Sequence, residues 1–147
     1  MERVTTNPTD YIIGLDDERS ADLTVIDKVL VKAMPGRVRV LWEGVFWGGT
    51  EQTIIGYGDL VQERPKGEDV EWFIIGLALQ KNHISLYVNA VKDRAYLGKS
   101  YADRLGKVKT GSANITFKSA EALDLKVLGE LAKEAHKLSP KDRPQSK

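Results

Sequence analysis

The sequence contains no cysteine, and this absence removes several kinds of chemistry at once. A chain without thiols forms no disulfide, has no thiolate nucleophile and builds no zinc–thiolate site. Histidine is scarce as well, since His83 and His136 are the only two and lie far apart in the sequence. The sequence therefore does not indicate a metal centre of the usual nitrogen and sulfur ligands, and it predicts no cofactor.

Long apolar runs and a strong net charge are also missing. No apolar stretch approaches the roughly 20 residues that a membrane helix requires. The N-terminal segment MERVTTNPTDY is polar where a signal peptide would be apolar. We therefore expect a cytoplasmic protein without a membrane partner. The net charge of +1 does not favour nucleic acid as a partner, so that any basic site must be local.

What remains is the composition of one soluble domain. The chain has 147 residues, of which 41% are hydrophobic and 29% charged. A chain of this length buries roughly 70% of its unfolded surface in a single core. The last stretch, SPKDRPQSK, is charged and proline-rich. We predict a single domain over residues 1–138 and a disordered tail over 139–147.

The order of helical and strand patterns predicts an α+β fold. Asn7 and Pro8 are typical of a helix start, and residues 16–34 have helical periodicity that Pro35 and Gly36 end. A helix is expected over 93–106 and another over 123–138. Five strands are expected between them, at 37–42, 53–60, 72–80, 83–89 and 113–117. We predict a mostly antiparallel sheet of about five strands, with N-terminal helices and a C-terminal helix packed on one face.

The two adjacent strands at 72–80 and 83–89 predict a register. If Lys81 and Asn82 form a two-residue turn, Gln80 faces His83 and every later pair follows. One face of the hairpin is then apolar and should be core: Leu79/Ile84, Leu77/Leu86, Ile75/Val88 and Phe73/Ala90. The other face carries Gln80/His83, Ala78/Ser85, Gly76/Tyr87 and Ile74/Asn89.

Small residues on that second face suggest a groove. Gly56, Gly58, Gly76 and Ala78 would form its floor, and the expected ligand-binding walls are Trp72, His83, Ser85 and Tyr87. Glycine within a strand signals a bulge or the close approach of another group. The alternative is that Tyr87 or the N-terminal helix covers the glycines.

A basic loop gives the second candidate site. Residues 97–117, LGKSYADRLGKVKTGSANITF, hold the candidate ligand-binding residues Lys99, Lys107, Lys109 and Gly111. A Walker loop is excluded, because Asp93 stands where its first glycine is required and Val108 follows the second Gly-Lys pair. Either the backbone N–H groups and lysines bind an anion, or the loop is a solvated turn.

Four stretches resemble a known family: TIIGYGDL, LQKNHISLYVN, YADRLGKVKTGSANITFKS and LDLKVLGEL. Between Thr53 and Leu138 the chain is similar to the YdhG-like family of domains of unknown function. The resemblance implies a small, cytoplasmic, single-domain α+β protein. It also implies one possible cofactor, iron, because one branch of the family is assigned a frataxin-like role as an iron carrier.

Three functions therefore stay open. The first is a non-catalytic binding module for a small anionic ligand or a partner segment. The second is the iron carrier, for which Asp16, Asp17, Glu18 and Asp22 are the densest acidic cluster, although acidic residues also suit a helix start. The third is a small enzyme using His83 and Tyr87, which requires a second titratable group near His83.

Overall fold

Eleven strands appear in the computed structural model, which describes residues 1–45, 51–62 and 70–142. They are β1 (Glu2–Val4), β2 (Arg39–Val45), β3 (Glu51–Tyr57), β4 (Leu60–Gln62), β5 (Val70–Trp72), β6 (Ile75–Leu79), β7 (Ile84–Val88), β8 (Val91–Lys92), β9 (Ala95–Tyr96), β10 (Lys109–Thr110) and β11 (Asn114–Phe117). Seven of them form one sheet in the order β1-β2-β3-β6-β7-β11-β10. Every pairing in this sheet is antiparallel. The strands β4–β5 and β8–β9 form two separate hairpins.

Four helices pack on one face of this sheet: α1 (Pro8–Ile13), α2 (Ser20–Ala33), α3 (Gly98–Leu105) and α4 (Leu125–Leu138). Asn7 caps α1 by accepting a hydrogen bond from the Thr9 N–H at 2.8 Å. Asp124 caps α4 in the same way. None of the helices within the described ranges is both long and apolar enough to cross a membrane.

The α+β class and the mostly antiparallel sheet are confirmed, but the predicted number of strands is wrong. The sheet has seven strands instead of about five. The two extra strands, β1 and β10, lie at its edges and are three and two residues long. Such short strands show too little alternation to be recognised. β2 also continues to Val45, three residues beyond the strand expected at 37–42, whereas residues 46–50 and 63–69 lie outside the described residues.

The predicted register of the β6–β7 hairpin is confirmed over the length of both strands. Ile75 pairs with Val88, Leu77 with Leu86 and Leu79 with Ile84. Leu86 is fully buried and Leu77 is 1% exposed in the main core, which lies between the sheet and the helices. The alternation of apolar residues therefore identified the correct face of both strands.

The predicted pair Phe73/Ala90 is wrong, because the alternation breaks just before β6. Ile74 and Ile75 both lie in the main core although they are consecutive, and Phe73 lies on the opposite side of the sheet. The cause is visible at Gly58, whose φ is 81°. A Cβ there would lie 2.4 Å from the Ile74 Cδ1 atom, so Ile74 fills the space that the glycine leaves.

The helix predicted over 93–106 is shorter than expected. Its first residues belong instead to the β8–β9 hairpin, whose turn places Asp93 and Arg94 at φ values of 52° and 68°. α3 then begins at Gly98, which therefore starts the helix and does not interrupt it.

The described part of the chain extends four residues into the tail predicted over 139–147, as far as Asp142. The Asp142 carboxylate accepts hydrogen bonds from the backbone N–H groups of Val38 at 2.7 Å and Asp59 at 2.8 Å. It also forms a 3.0 Å ion pair with Arg37. The segment after α4 is thus attached to β2 and to the β3–β4 turn, while residues 143–147 lie outside the described residues. Composition alone did not reveal this attachment, because it depends on a single carboxylate.

Candidate functional site

Three aromatic rings pack against the second face of the sheet, which faces away from the helices. We call Trp42, Trp72 and Phe73 the aromatic cluster. Trp72 stacks on Phe73 with ring centroids 4.3 Å apart, and Trp42 meets Trp72 edge-on at 5.2 Å. Trp42 and Phe73 are 5% and 0% exposed. The cluster is therefore a small second core, and Trp72, predicted as a groove wall, is part of it.

Two residues of the predicted glycine floor, Gly56 and Gly76, lie beneath this cluster, whereas Gly58 lies against Ile74 of the main core and was placed on the wrong face. Gly56 and Gly76 are cross-strand partners, as the groove required. A Cβ on Gly56 would lie 2.7 Å from Trp42 Nε1, and one on Gly76 would lie 2.4 Å from Phe73 Cε1. Both distances are shorter than real contacts, so the glycines make room for the rings. The floor is covered, and the residues that cover it are Trp42 and Phe73.

Beside the cluster, four side chains form a hydrogen-bonded group that we call the polar network. Its members are Gln52, Gln80, Ser85 and Tyr87. The Gln80 Nε2 donates to Gln52 Oε1 at 3.0 Å, and Ser85 donates to Gln80 Oε1. The Tyr87 hydroxyl donates to Gln52 Oε1 at 3.2 Å. Ser85 and Tyr87 are buried and the two glutamines half-buried, so the amides form the accessible surface of the network.

The surroundings of Tyr87 and His83 do not match the arrangement that the catalytic hypothesis requires. Burial raises the pKa of the Tyr87 hydroxyl, and its hydrogen bonds with Ser85, Gln80 and Gln52 only partly oppose this effect. Tyr87 therefore remains a protonated donor at neutral pH. His83 is half-buried, and its side chain makes no hydrogen bond or ion pair within the described part of the chain. Among the described residues, no titratable group is hydrogen-bonded to His83 as that hypothesis requires.

A row of cross-strand partners joins the polar network to the basic loop. Ala78 pairs with Ser85, Ser85 with Thr116, and Thr116 with Lys109. Directly opposed residues in an antiparallel sheet point to the same face. Lys109 therefore lies on the second face, at the edge strand β10, two strands from Ser85. The two candidate sites of the sequence meet along this row.

Lys99 and Gly111 meet at a different place, between the start of α3 and the turn before β11. They line a cleft of about 10 Å³ together with Thr110 and Ser112. A volume of this size holds about one water molecule. A side chain would not fit at Gly111, since its Cβ would lie 2.1 Å from Asn114 Oδ1, and this contact explains the glycine without a ligand. Lys107 stands before β10 and is anchored by its backbone N–H, which donates to the Ala122 carbonyl at 2.9 Å.

The lysines of this region are exposed and unpaired. Lys99, Lys107, Lys109 and Lys118 surround α3, β10 and β11, and we call them the basic corner. Across residues 1–45, 51–62 and 70–142, none of the four has an ion-pair partner, whereas most arginines do. Lys118 was missed by the sequence reasoning. A wider charge count finds it, because residues 81–118 contain eight Lys and Arg but only two Asp, a net +6 in a chain of net +1.

Two of the four residues in the acidic cluster proposed for iron, Asp17 and Asp22, are engaged in structural contacts, while Asp16 and Glu18 are exposed. Asp17 forms a 3.0 Å ion pair with Arg19, whose hydrogen bonds lower the pKa of that carboxyl group. Asp22 accepts a hydrogen bond from the Ala120 N–H at 3.0 Å. Among the described residues, no three His, Asp or Glu side chains group closely enough to hold a metal ion. The unengaged carboxylates that an iron carrier needs are not found at Asp17 and Asp22.

A separate polar cluster lies under α1 and α2. Asp27 accepts two hydrogen bonds from Arg39, at 2.9 and 2.8 Å, and one from the buried Tyr57 hydroxyl at 2.5 Å. The pKa of Tyr57 is raised well above 10, first by burial and then by the charge of Asp27. The folded protein therefore strongly favours the protonated phenol.

The raised pKa of Tyr57 predicts that the protein loses stability at alkaline pH. Because the folded pKa of Tyr57 exceeds the unfolded one, its contribution to stability is complete below about pH 10 and declines as the pH rises further. Each unit above that point costs up to about 1.4 kcal/mol. Urea unfolding at about pH 8 and about pH 11 should show a smaller loss for Tyr57→Phe than for the parent. Tyr96→Phe, at a half-buried tyrosine, is the control and should retain the parent's loss; equal losses in both variants would contradict the assignment.

No family model, curated protein or solved structure matches this sequence. The fold and the basic corner therefore define a class only: an α+β protein with helices on one face of an antiparallel sheet. The similarity to the YdhG-like family stays a hypothesis based on the four quoted motifs.

Proposed function

We propose that the protein is a non-catalytic binding module whose basic corner binds an acidic segment of a partner protein. The observation that carries this proposal is the set of four exposed lysines without ion pairs around α3, β10 and β11. The described part of the chain also leaves Lys28, Lys32 and Lys133 exposed without an ion pair, and what distinguishes the corner is the net charge of +6 over residues 81–118. Unpaired charges of one sign attract an oppositely charged partner and speed its association.

The shape of the corner favours an extended partner over a small ligand. The cleft that Lys99 and Gly111 line there measures about 10 Å³. Sites that enclose small ligands typically measure about 300–1,000 Å³. A small anion at this surface would therefore make few contacts. An extended acidic segment, in contrast, meets several lysines at once and adds their individual attractions.

An acidic segment bound at the lysines could continue along the second face of the sheet, from Lys109 towards the polar network. Thr116 and Asn114 are half-buried and stand between Lys109 and the polar network. The amides of Gln52 and Gln80 present both donors and acceptors at the far end of this strip. A segment that leaves the lysines along the strip would exchange hydrogen bonds with these groups. Specificity would then come from the network and attraction from the lysines.

The proposal is tested with a fluorescent glutamate-rich peptide and fluorescence anisotropy. Replacing Lys99, Lys107 and Lys109 together by alanine should weaken binding by about 10- to 100-fold, since each exposed charge pair is worth about 0.5–1 kcal/mol. Binding to the parent should also weaken as the salt concentration rises. The matched control is the triple alanine variant of Lys28, Lys32 and Lys133, which are exposed on α2 and α4.

Two results would refute the proposal. If both triple variants lose affinity equally, the peptide responds to overall charge and has no site at the corner. If a single-stranded oligonucleotide of the same charge binds the parent more tightly than the peptide, the class of partner is wrong.

Tyr87→Phe should retain the fold and reduce affinity only slightly, because it removes one donor at the end of the strip.

A further inference from the structure

A cavity of about 320 Å³ lies between the C-terminal end of α2 and the start of β2. Its apolar wall is formed by Val31, Met34, Pro35 and Val38, and its polar end by Arg39 and Tyr57. This volume falls in the range of sites for small ligands, which combine apolar walls with a few placed polar groups. The cavity is remote in sequence from the basic corner, and no predicted site residue lines it.

Arg39 is held in place and still has donors to offer. Its Nε and Nη2 atoms bind Asp27, and its Nη1 atom donates to the Thr9 hydroxyl at 2.9 Å. A guanidinium has five N–H donors, so two are left over, one on each terminal nitrogen. The pairing with Asp27 fixes the plane of the group before any ligand arrives, which lowers the entropy lost on binding.

The neighbouring cation, Arg37, has all of its N–H donors in hydrogen bonds and can only form part of the cavity wall. Arg37 also lines the cavity. Its five N–H groups bind the ring of His136, the carboxylate of Asp142 and the backbone carbonyls of His136, Ser139 and Pro140. The Tyr57 hydroxyl is likewise committed to Asp27. Arg39 is therefore the group in the cavity wall with free capacity for a ligand.

We propose that this cavity binds a small carboxylate with a compact apolar body. The carboxylate would accept the two remaining N–H donors of Arg39, because a guanidinium binds a charged acceptor more strongly than a neutral one. The apolar body would lie against Val31, Met34 and Val38. This site adds a second ligand, of a different chemical class, to the acidic segment proposed for the basic corner.

Octanoate is a suitable probe, with 1-octanol as its uncharged counterpart. Titrated into the full chain and followed by amide resonances, octanoate should bind with a Kd in the millimolar range or below. The resonances of Met34, Gly36 and Val38 should shift, while those of Lys109 and Thr110 should not. Octanol should bind at least tenfold more weakly.

A pair of variants at one position separates the charge effect from packing. Val31 is 47% exposed on the cavity wall, so both Val31→Glu and Val31→Lys should fold. Octanoate should bind Val31→Lys at least tenfold more tightly than Val31→Glu, whereas octanol should bind the two alike. Three results would overturn the proposal: no binding of octanoate to the parent, equal binding of octanol, or equal affinity of octanoate for the two variants. None of them bears on the basic corner, whose lysines do not line this cavity.

Discussion

Replacing Leu86 by alanine is expected to destabilise the protein by about 2–5 kcal/mol. Leu86 is fully buried in the main core, where it lies opposite Leu77 in the middle of the sheet. Truncation removes its contacts and leaves a cavity that strands on both sides cannot close, since β7 is held between β6 and β11. Urea unfolding of the variant and the parent measures the loss directly.

Val25→Ala provides the matched comparison for Leu86→Ala. Val25 is an aliphatic residue on α2, but it is 39% exposed, and its truncation should change stability by no more than about 0.5 kcal/mol. Similar unfolding curves for the two variants would mean that the core face of the β6–β7 hairpin is assigned incorrectly.

Replacing Gly106 by alanine should have the next largest effect, about 2–4 kcal/mol. Gly106 has a φ of 118°, a conformation that residues with a side chain rarely adopt. It also forms an antiparallel bridge to Leu123, and its Cβ would lie 2.1 Å from the Ala122 carbonyl oxygen. That oxygen belongs to the backbone, so the turn itself would have to move. Thermal and urea unfolding would both record the loss.

Gly36→Ala separates the effect of backbone strain from that of steric contact. Gly36 has a positive φ, as Gly106 does, but a Cβ at Gly36 would contact no other atom. Its φ is 77°, and a Cβ there would meet nothing within 4 Å. Gly36→Ala should therefore cost only about 1 kcal/mol, from backbone strain alone. If Gly36→Ala and Gly106→Ala prove equally unstable, contact with the Ala122 carbonyl contributes nothing.

The parts of the fold that the sequence predicted correctly are those with a repeating pattern. α2 and α4 bury residues at helical spacing, and β6 and β7 alternate over five residues each. Local chemistry was equally informative at Asn7 and Pro8, where cap and first helical position are confirmed. In each case the signal lies within a short window and repeats the same physical preference.

The features that were missed depend on single contacts between distant residues. Asp142 binds the Val38 N–H across more than a hundred residues, and no periodic pattern announces such a bond. The position of Phe73 depends on Ile74 filling the space beside Gly58. A break of this kind reverses the faces of the residues before it relative to those after it, so counting back from the hairpin turn placed Phe73 and Ile74 on the wrong faces.

The candidate site was predictable in its residues and less so in its arrangement. The sequence assigned Ser85 and Tyr87 to one face, and the confirmed register of β6 and β7 places them there. It also singled out lysines that lie at one corner of the molecule. It did not show that Trp42 covers Gly56, because the strand expected at 37–42 stops three residues short of the end of β2 and its pairing with β3 was not predicted. The expected groove was therefore sought where a small core has formed.

The aromatic cluster gives the two sides of the sheet different optical properties. Two of the chain's three tryptophans, Trp42 and Trp72, lie in it, while the main core contains tyrosine and phenylalanine but no tryptophan among the described residues. The emission of these two indoles therefore reports on one side of the sheet, and peptide circular dichroism reports on the whole backbone. Superimposable denaturation curves from the two signals would show that both cores melt in one cooperative step. An earlier change in emission would show that the side bearing the polar network loosens first.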